Sequence, residues 1–238
     1  MRHIGLSVPV VLGFVAAMLQ GCTPMDDGSN TSGGGVSACG QGTVEHGNVC
    51  VLQDFVLSKG GESTAASTIS LIGSSPGAES LSFDTSVYSA GDTQSIRIDF
   101  TAPPANPPPS GNNPSLGGTQ SYVTVRIAFS QPQDLSDFAY STASLQFDLR
   151  SPVSGTLAFY DVTGHTFNQL PMNINQLGYT ANGSAFQSVE LPFSVLTGVE
   201  NVDMRDVVRA FELTLPAPVA GAQSFSVWID NVRFHNSQ

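Results

Sequence analysis

The chain has 238 residues, a formal net charge of -11 at pH 7 and only 11% charged residues. A surface of that sign repels nucleic acid and anionic lipid headgroups, which excludes DNA or RNA binding as the function. Gly, Ser, Thr, Asn and Gln are abundant, and this polar but weakly charged composition is typical of an exported all-β protein.

The chain begins with the pattern of a secretory signal. A short basic start precedes an apolar run over residues 4–19, which is too short and too weakly flanked for a spanning helix. The run ends in Leu19-Gln20-Gly21-Cys22, which resembles the bacterial lipobox, where signal peptidase cuts before the cysteine. The resemblance implies a signal peptide over residues 1–21 and a lipidated Cys22. The alternative is an ordinary cleaved signal with an incidental cysteine.

A Gly- and Ser-rich segment, residues 22–38, comes next and is predicted to be a flexible, disordered tether. Thr23 follows the cysteine directly, and no Asp stands at that place. By resemblance to enterobacterial sorting rules, this favours the outer membrane over retention in the inner membrane. The expected protein is therefore anchored to the outer membrane through N-terminal acyl chains such as palmitate.

Three cysteines are an odd number for an exported protein. If Cys22 carries lipid, Cys39 and Cys50 remain, and they flank a short polar loop. We predict a disulfide between them that closes a neck over residues 39–50, outside the main domain. Zinc is the alternative chemistry, but two cysteines and one histidine lack a fourth ligand.

Residues 51–238 are predicted to form one all-β domain of short antiparallel strands. Apolar residues fall on every second position in several runs, which is the pattern of strands buried on one face. The runs are residues 81–83, 96–100, 123–129, 145–150, 157–160 and 211–215. The Pro-rich residues 102–118 must form a long exposed loop because they cannot pair in a sheet. Many short strands with regular turns favour a two-sheet β-sandwich or jelly roll.

Several segments, in order along the chain, carry a family resemblance. They are VLQDF at 51–55, QPQDLS at 131–136, LQFDLR at 145–150, FQSVELPF at 186–193 and SFSVWIDNVRF at 224–234. They resemble successive strands of jelly-roll carbohydrate-binding modules, with Phe186 where those modules usually have Trp. Similar closing strands occur in the complex I intermediate-associated protein family and in other galactose-binding-like domains. The resemblance implies a β-sandwich that binds carbohydrate without catalysis.

Many modules of this kind hold a structural calcium ion on acidic residues of the opening and closing strands. Asp54 and Asp230 occupy these places, whereas Val56 replaces the glutamate of the family. Calcium takes about six to eight oxygen ligands, so two carboxylates supply only part of the ligands that the ion needs. The alternative is that Asp230 only hydrogen-bonds the backbone at a bend in the strand.

We predict a sugar-binding face from the outward positions of four strands. If the strands alternate between two sheets as in the family, the runs at 96–100, 145–150, 157–160 and 211–215 form one concave sheet. Sugar recognition uses aromatic rings and planar hydrogen-bonding side chains. The predicted carbohydrate-binding residues are Arg97, Asp99, Gln146, Asp148, Arg150, Tyr160, Glu212 and Thr214. The alternative is that the charges form solvated cross-strand pairs.

Tyr122 and Trp228 are expected to point outward from the other sheet, where Trp228 is either a packing residue or a platform for ligand. The sequence contains no HExxH or GxSxG motif, so catalysis finds little support. The sequence therefore predicts an outer-membrane lipoprotein that binds a polysaccharide or other glycan without catalysis. A surface structural or adhesion protein, which uses the sandwich to contact protein partners, is the alternative.

Overall fold

A computed structural model describes residues 39–60, 62–63, 67–73, 78–105, 121–198 and 201–237. The signal peptide, Cys22, the tether and most of the proline-rich loop lie outside these described residues, so the statements about them stay predictions. Among the described residues, no helix has both the length and the apolar character needed to cross a membrane.

Strands make up most of the described chain. They are β1 (Thr43–His46), β2 (Val49–Leu52), β3 (Asp54–Lys59), β4 (Glu62–Ser63), β5 (Ser67–Gly73), β6 (Ala78–Asp84), β7 (Ser95–Thr101), β8 (Tyr122–Gln133), β9 (Ala143–Arg150), β10 (Thr156–Asp161), β11 (Met172–Asn173), β12 (Gln187–Pro192), β13 (Val207–Pro216) and β14 (Phe225–Asn236). Short 3-10 helices occupy Ser136–Phe138, Ile174–Leu177 and Phe193–Val195. Every run predicted as a strand from its alternation lies within a strand.

The strands form two large antiparallel sheets. The five-stranded sheet has the order β11-β10-β13-β8-β5, and the seven-stranded sheet joins β12-β9-β14-β3-β4 with β7 and β6. β14 is the central strand of the seven-stranded sheet. It pairs with β9 along one edge, and along the other edge its first half pairs with β7 and its second half with β3. The predicted antiparallel β-sandwich of jelly-roll type is confirmed.

A layer of apolar side chains between the two sheets forms the core. Ring contacts cross this layer from one sheet to the other. They join Phe147 to Phe211, Phe159 to Phe234 and Phe55 to Phe129, with centroids 5.1, 5.6 and 5.9 Å apart. Because alternate residues of each strand point into this layer, the intervening polar residues point to two separate outer faces.

β14 contains a bulge between Asp230 and Arg233. Asp230 and Arg233 are three residues apart on β14, whereas their partners on β9, Asp148 and Gln146, are two residues apart. β14 therefore has one extra residue, and Asn231 there has a φ of 50°. Because of the extra residue, the core-facing positions are odd-numbered before the bulge and even-numbered after it. The core side chains of the strand are Val227, Ile229, Val232 and Phe234, each 0% exposed.

Cys39 and Cys50 are joined by a disulfide with Cα atoms 5.4 Å apart, as predicted. β1 lies within the closed loop and pairs as a hairpin with β2, which contains Cys50. Val44 of this hairpin is only 2% exposed, and the His46 ring stacks on the Tyr140 ring of the sandwich with centroids 3.8 Å apart. The predicted neck is therefore a hairpin that packs against the sandwich.

Reduction of the disulfide is expected to loosen this hairpin while the sandwich stays folded. Closing a loop with a sequence separation of 11 contributes about 3 kcal/mol, because the crosslink lowers the conformational entropy of the unfolded chain. Amide hydrogen exchange with and without reductant measures the effect. Protection should fall in β1 and β2 and stay unchanged in β9 and β14. Loss of protection in β14 on reduction would contradict this prediction.

Candidate functional site

The eight predicted carbohydrate-binding residues do not share one face, so that prediction is wrong. Five of them lie on β7 and β9 of the seven-stranded sheet, and three lie on β10 and β13 of the five-stranded sheet. The first group is Arg97, Asp99, Gln146, Asp148 and Arg150, and the second is Tyr160, Glu212 and Thr214. Alternation shows which side of a strand is outward, but the sheet that a strand joins depends on long-range pairing.

The expectation that Tyr122 and Trp228 share a sheet is also wrong. Tyr122 begins β8 of the five-stranded sheet, and Trp228 lies on β14 of the seven-stranded sheet. Each sheet therefore presents one of the two aromatic residues on its outer face, and their surroundings decide which is free for a ligand.

Trp228 is held within a network of charged side chains. Arg97 and Arg150 on the neighbouring strands lie over its ring, with guanidinium carbons 5.7 and 4.6 Å from the centroid. Its indole N–H donates to Asp84 with Nε1 and Oδ2 3.0 Å apart, and Arg97 pairs with the same carboxylate at 3.2 Å. These contacts favour the packing role for Trp228 over a role as a platform for sugar.

Asp84 is the shared acceptor of this network. Its Oδ1 accepts from the backbone N–H and the hydroxyl of Ser86 at 2.8 and 2.6 Å, while Oδ2 faces Trp228. The hydrogen bond from the Ser86 hydroxyl, followed by the one from Trp228, holds the pKa of Asp84 well below its ordinary value. The carboxylate therefore stays charged at neutral pH.

The other predicted groups on this outer face also pair with one another. Asp99 accepts from Arg97 at 2.9 Å, and Gln146 accepts from Arg233 at 2.9 Å. Asp148 accepts from the side-chain amide of Asn231 at 2.9 Å. The first pair lies along β7, and the other two join β9 to β14. Pairing of charged and polar groups across strands is the alternative to sugar binding that the sequence left open.

Asp54 and Asp230 do not fit a calcium site. Asp230 is fully buried, and its oxygens accept from the N–H and the hydroxyl of Ser89 and from the N–H of the next residue. Burial raises its pKa. Asp54 instead pairs with His235 at 2.9 Å and with Arg233 at 3.4 Å. Among the described residues, no group of three or more His, Cys, Asp or Glu side chains is placed to hold a metal ion.

The outer face of the five-stranded sheet presents its side chains in rows that cross the strands. The first row is neutral and consists of Asn173, Thr156, Thr214, Thr124 and Ile72. The second row is Ala158, Glu212, Arg126 and Ser70, and the third is Tyr160, Arg209, Ala128 and Thr68. The face thus has a neutral end and a charged end, which we call the five-stranded face.

An open groove of about 520 Å³ lies at the neutral end of the five-stranded face. It is lined by Tyr122, Ser154, Gly155, Thr156, Asn173, Thr214 and Pro216. Tyr122 is 54% exposed, and a Cβ at Gly155 would meet the backbone oxygen of Thr214, so only glycine fits there. An exposed ring beside hydroxyl and amide groups is the combination that sugar recognition uses.

Glu212 connects the charged side chains at the other end. Its Oε1 lies 2.6 Å from Nε of Arg126 and 3.5 Å from Nη1 of Arg209. Arg209 also covers the Tyr160 ring, with its guanidinium carbon 3.9 Å from the centroid. Burial, and then the Glu212 carboxylate, raise the pKa of Tyr160, so the phenol stays protonated at neutral pH. Tyr160 thus has one ring face covered, and Tyr122 is the better platform.

Sequence reasoning missed part of this face. Thr124 and Arg126 occupy outward positions of the run at 123–129, so the alternation itself gave a signal for them. Asn173 and Ser154 lie in short or irregular segments whose pattern carries no such signal. The groove is therefore a feature of the folded sheet and its neighbouring turns.

No family model and no curated protein sequence matches the chain. Solved structures similar to it include the family 30 carbohydrate-binding module of a cellulosomal cellulase of Clostridium thermocellum, with 17% identity, a TM-score of 0.47, and coverage of 79% of this chain and 99% of the module. The family 11 module from the same organism, in complex with a mixed-linked tetrasaccharide, has 11% identity, a TM-score of 0.42, and coverage of 78% and 96%. An exo-β-agarase has 16% identity, a TM-score of 0.46, and coverage of 79% and 25%.

With identities below 20% and TM-scores below 0.5, these likenesses carry no argument about the function of this chain. The class is defined by the chain's own two antiparallel sheets, which make it an all-β domain of the jelly-roll type.

Replacing Asp84 by Asn is expected to lower the free energy of unfolding at pH 7 by about 1–3 kcal/mol, because several donors lose a charged acceptor. The pKa of Asp84 is depressed in the folded state. Its contribution to the free energy of unfolding is therefore fully present above the pKa of the unfolded state, about 4, and is lost progressively as the pH falls from there towards the folded-state pKa. Urea unfolding from pH 7 to pH 2 measures the difference from the wild type.

The matched control is Glu190→Gln, which changes an exposed carboxylate on the same outer face. The Asp84→Asn difference should shrink in acid, whereas the control should stay near the wild type at neutral pH. An equal loss of stability at pH 7 and pH 2 would contradict the prediction.

Proposed function

We propose that the chain is an exported lipoprotein of the outer membrane that binds a polysaccharide without catalysis, through the groove and the five-stranded face. The observation that carries this proposal is the exposed Tyr122 ring beside neutral polar side chains in an open groove. A tyrosine ring covers the apolar face of a sugar ring, and the hydroxyl and amide groups of Thr156 and Asn173 bond its hydroxyls.

The chemistry of the groove supports binding without catalysis. Its lining residues, within the described part of the chain, include no Asp, Glu, His or Cys side chain. Glycoside hydrolysis uses a pair of carboxyl groups that flank the scissile bond, and the groove supplies no such pair. A sugar chain seated there meets hydrogen-bonding partners and an aromatic ring.

Protein contact by a surface adhesion module is the other candidate, and it needs a large exposed apolar patch. The exposed apolar side chains of the described residues are spread over separate elements. Examples are Val49 on the hairpin, Phe83 on β6, Val195 on a 3-10 helix and Val219 before β14. This distribution gives the adhesion proposal little support.

Screening the purified protein on a glycan array, followed by calorimetry on the glycan found, tests the proposal. Tyr122→Ala should weaken binding by about tenfold, since an aromatic contact of this kind contributes on the order of 1 kcal/mol or more. Tyr88→Ala is the matched control, because Tyr88 is an exposed tyrosine on the loop after β6. Unchanged affinity in Tyr122→Ala would exclude the groove, and absence of glycan binding in the wild type would overturn the proposal.

The anchoring part of the proposal rests on the lipobox and has its own test. Cys22→Ser should release the protein from the membrane fraction or leave it as an uncleaved precursor, because the acceptor of the lipid is lost. Cell fractionation and mass spectrometry of the N-terminus measure this, with Cys39→Ser as a control that leaves the lipobox intact. An unmodified Cys22 in the wild type would overturn lipid anchoring.

A further inference from the structure

The five-stranded face differs in charge from the chain as a whole. The chain has a formal net charge of -11. The three rows of this face contain two arginines and one glutamate, a balance of one positive charge, and their other side chains are uncharged. The groove at the neutral end adds no charged lining residue. An acidic ligand therefore meets a more favourable local charge on this face than the net charge of the chain implies.

The arginines reach solvent, whereas the carboxylate between them does not. The side chains of Arg126 and Arg209 are 27% and 29% exposed, and that of Glu212 is 10% exposed. Both arginines direct one nitrogen to the same carboxylate oxygen, Nε in Arg126 and Nη1 in Arg209. Each guanidinium carries further N–H groups. The solvent-facing side of this cluster therefore presents positively charged hydrogen-bond donors.

The cluster lies next to the groove on the same strands. Glu212 and Arg126 each stand two residues from a member of the neutral row, Thr214 and Thr124. Tyr122 and Arg126 are four residues apart on β8, which corresponds to roughly 13 Å along a strand.

We propose that the five-stranded face selects an acidic polysaccharide, in which a sugar farther along the same chain from the one on Tyr122 carries an anionic group that binds Arg126 and Arg209. This inference rests on the proposed function of the face. Guanidinium groups bind carboxylate and sulfate oxygens through paired, charge-assisted hydrogen bonds. Carboxylates of uronic acids and sulfate esters share this chemistry, and repulsion from the rest of the acidic surface adds selectivity for this face.

Two matched pairs of polymers test the inference and distinguish the two sources of charge. Polygalacturonate is compared with its carboxyl-reduced form, and dextran sulfate with dextran, by calorimetry at low and high salt. The acidic member of at least one pair should bind about tenfold more tightly at low salt, since charge-assisted hydrogen bonds are roughly twice as strong as those between neutral groups. Added salt should reduce this preference because it screens exposed charges.

Substitutions of the two arginines test whether the preference for the acidic polymer arises at the five-stranded face. Arg126→Gln and Arg209→Gln should each reduce the preference for the acidic member, and the double variant should bring the two affinities to within about twofold. Arg150→Gln, on the opposite outer face, is the matched control and should keep the preference. Circular dichroism confirms that each variant is folded.

Equal affinity for the acidic and neutral members, with binding that still depends on Tyr122, would overturn the inference and leave the proposed function standing. A preference that survives in the double variant would also overturn it, because the charge would then be recognised elsewhere. Absence of binding to every polysaccharide in the array and in both pairs would overturn the proposed function as well.

Discussion

The packing of two sheets through aromatic rings is the constraint on which the other features depend. Contacts such as Phe147 with Phe211 and Phe159 with Phe234 join the sheets across the core. They fix the inner side of each strand and leave every outward residue on one of two faces that point away from each other. A ligand of ordinary size therefore contacts one sheet or the other, and residues on both sheets cannot act together.

The two outer faces use polar residues for different purposes. On the seven-stranded sheet, arginines, carboxylates and the indole of Trp228 bond one another, so that their hydrogen-bonding capacity serves the fold. On the five-stranded sheet, small neutral side chains surround an open groove, and the arginines outnumber the single carboxylate. The first face is suited to holding strands in place, and the second is suited to a ligand.

The sequence is informative where structure is local. Alternation located six of the fourteen strands of the described residues, namely β6, β7, β8, β9, β10 and β13. The count of cysteines located the disulfide. The prediction of a shared binding face failed because β10 pairs with β13 and β13 with β8, whereas β7 and β9 pair with β14 in the other sheet. Long-range pairing also explains why Arg209 covers one face of the Tyr160 ring. The irregular pairing of β10 with β13 places the two residues side by side. Such pairings leave no trace in the pattern of either strand alone.

The bulge in β14 has a consequence for how this chain tolerates changes in length. Asn231 is the extra residue, and its amide donates to the Ser89 hydroxyl at 2.6 Å and to Asp148 at 2.9 Å. A chain that lacks this residue keeps the same alternation before and after the gap, so Val232 still faces the core. What it loses is one of the bonds that hold the loop between β6 and β7, while Ser89 of that loop still donates to Asp230. Insertions and deletions among relatives are therefore expected to occur together at these two places, in the strand and in the loop that it holds.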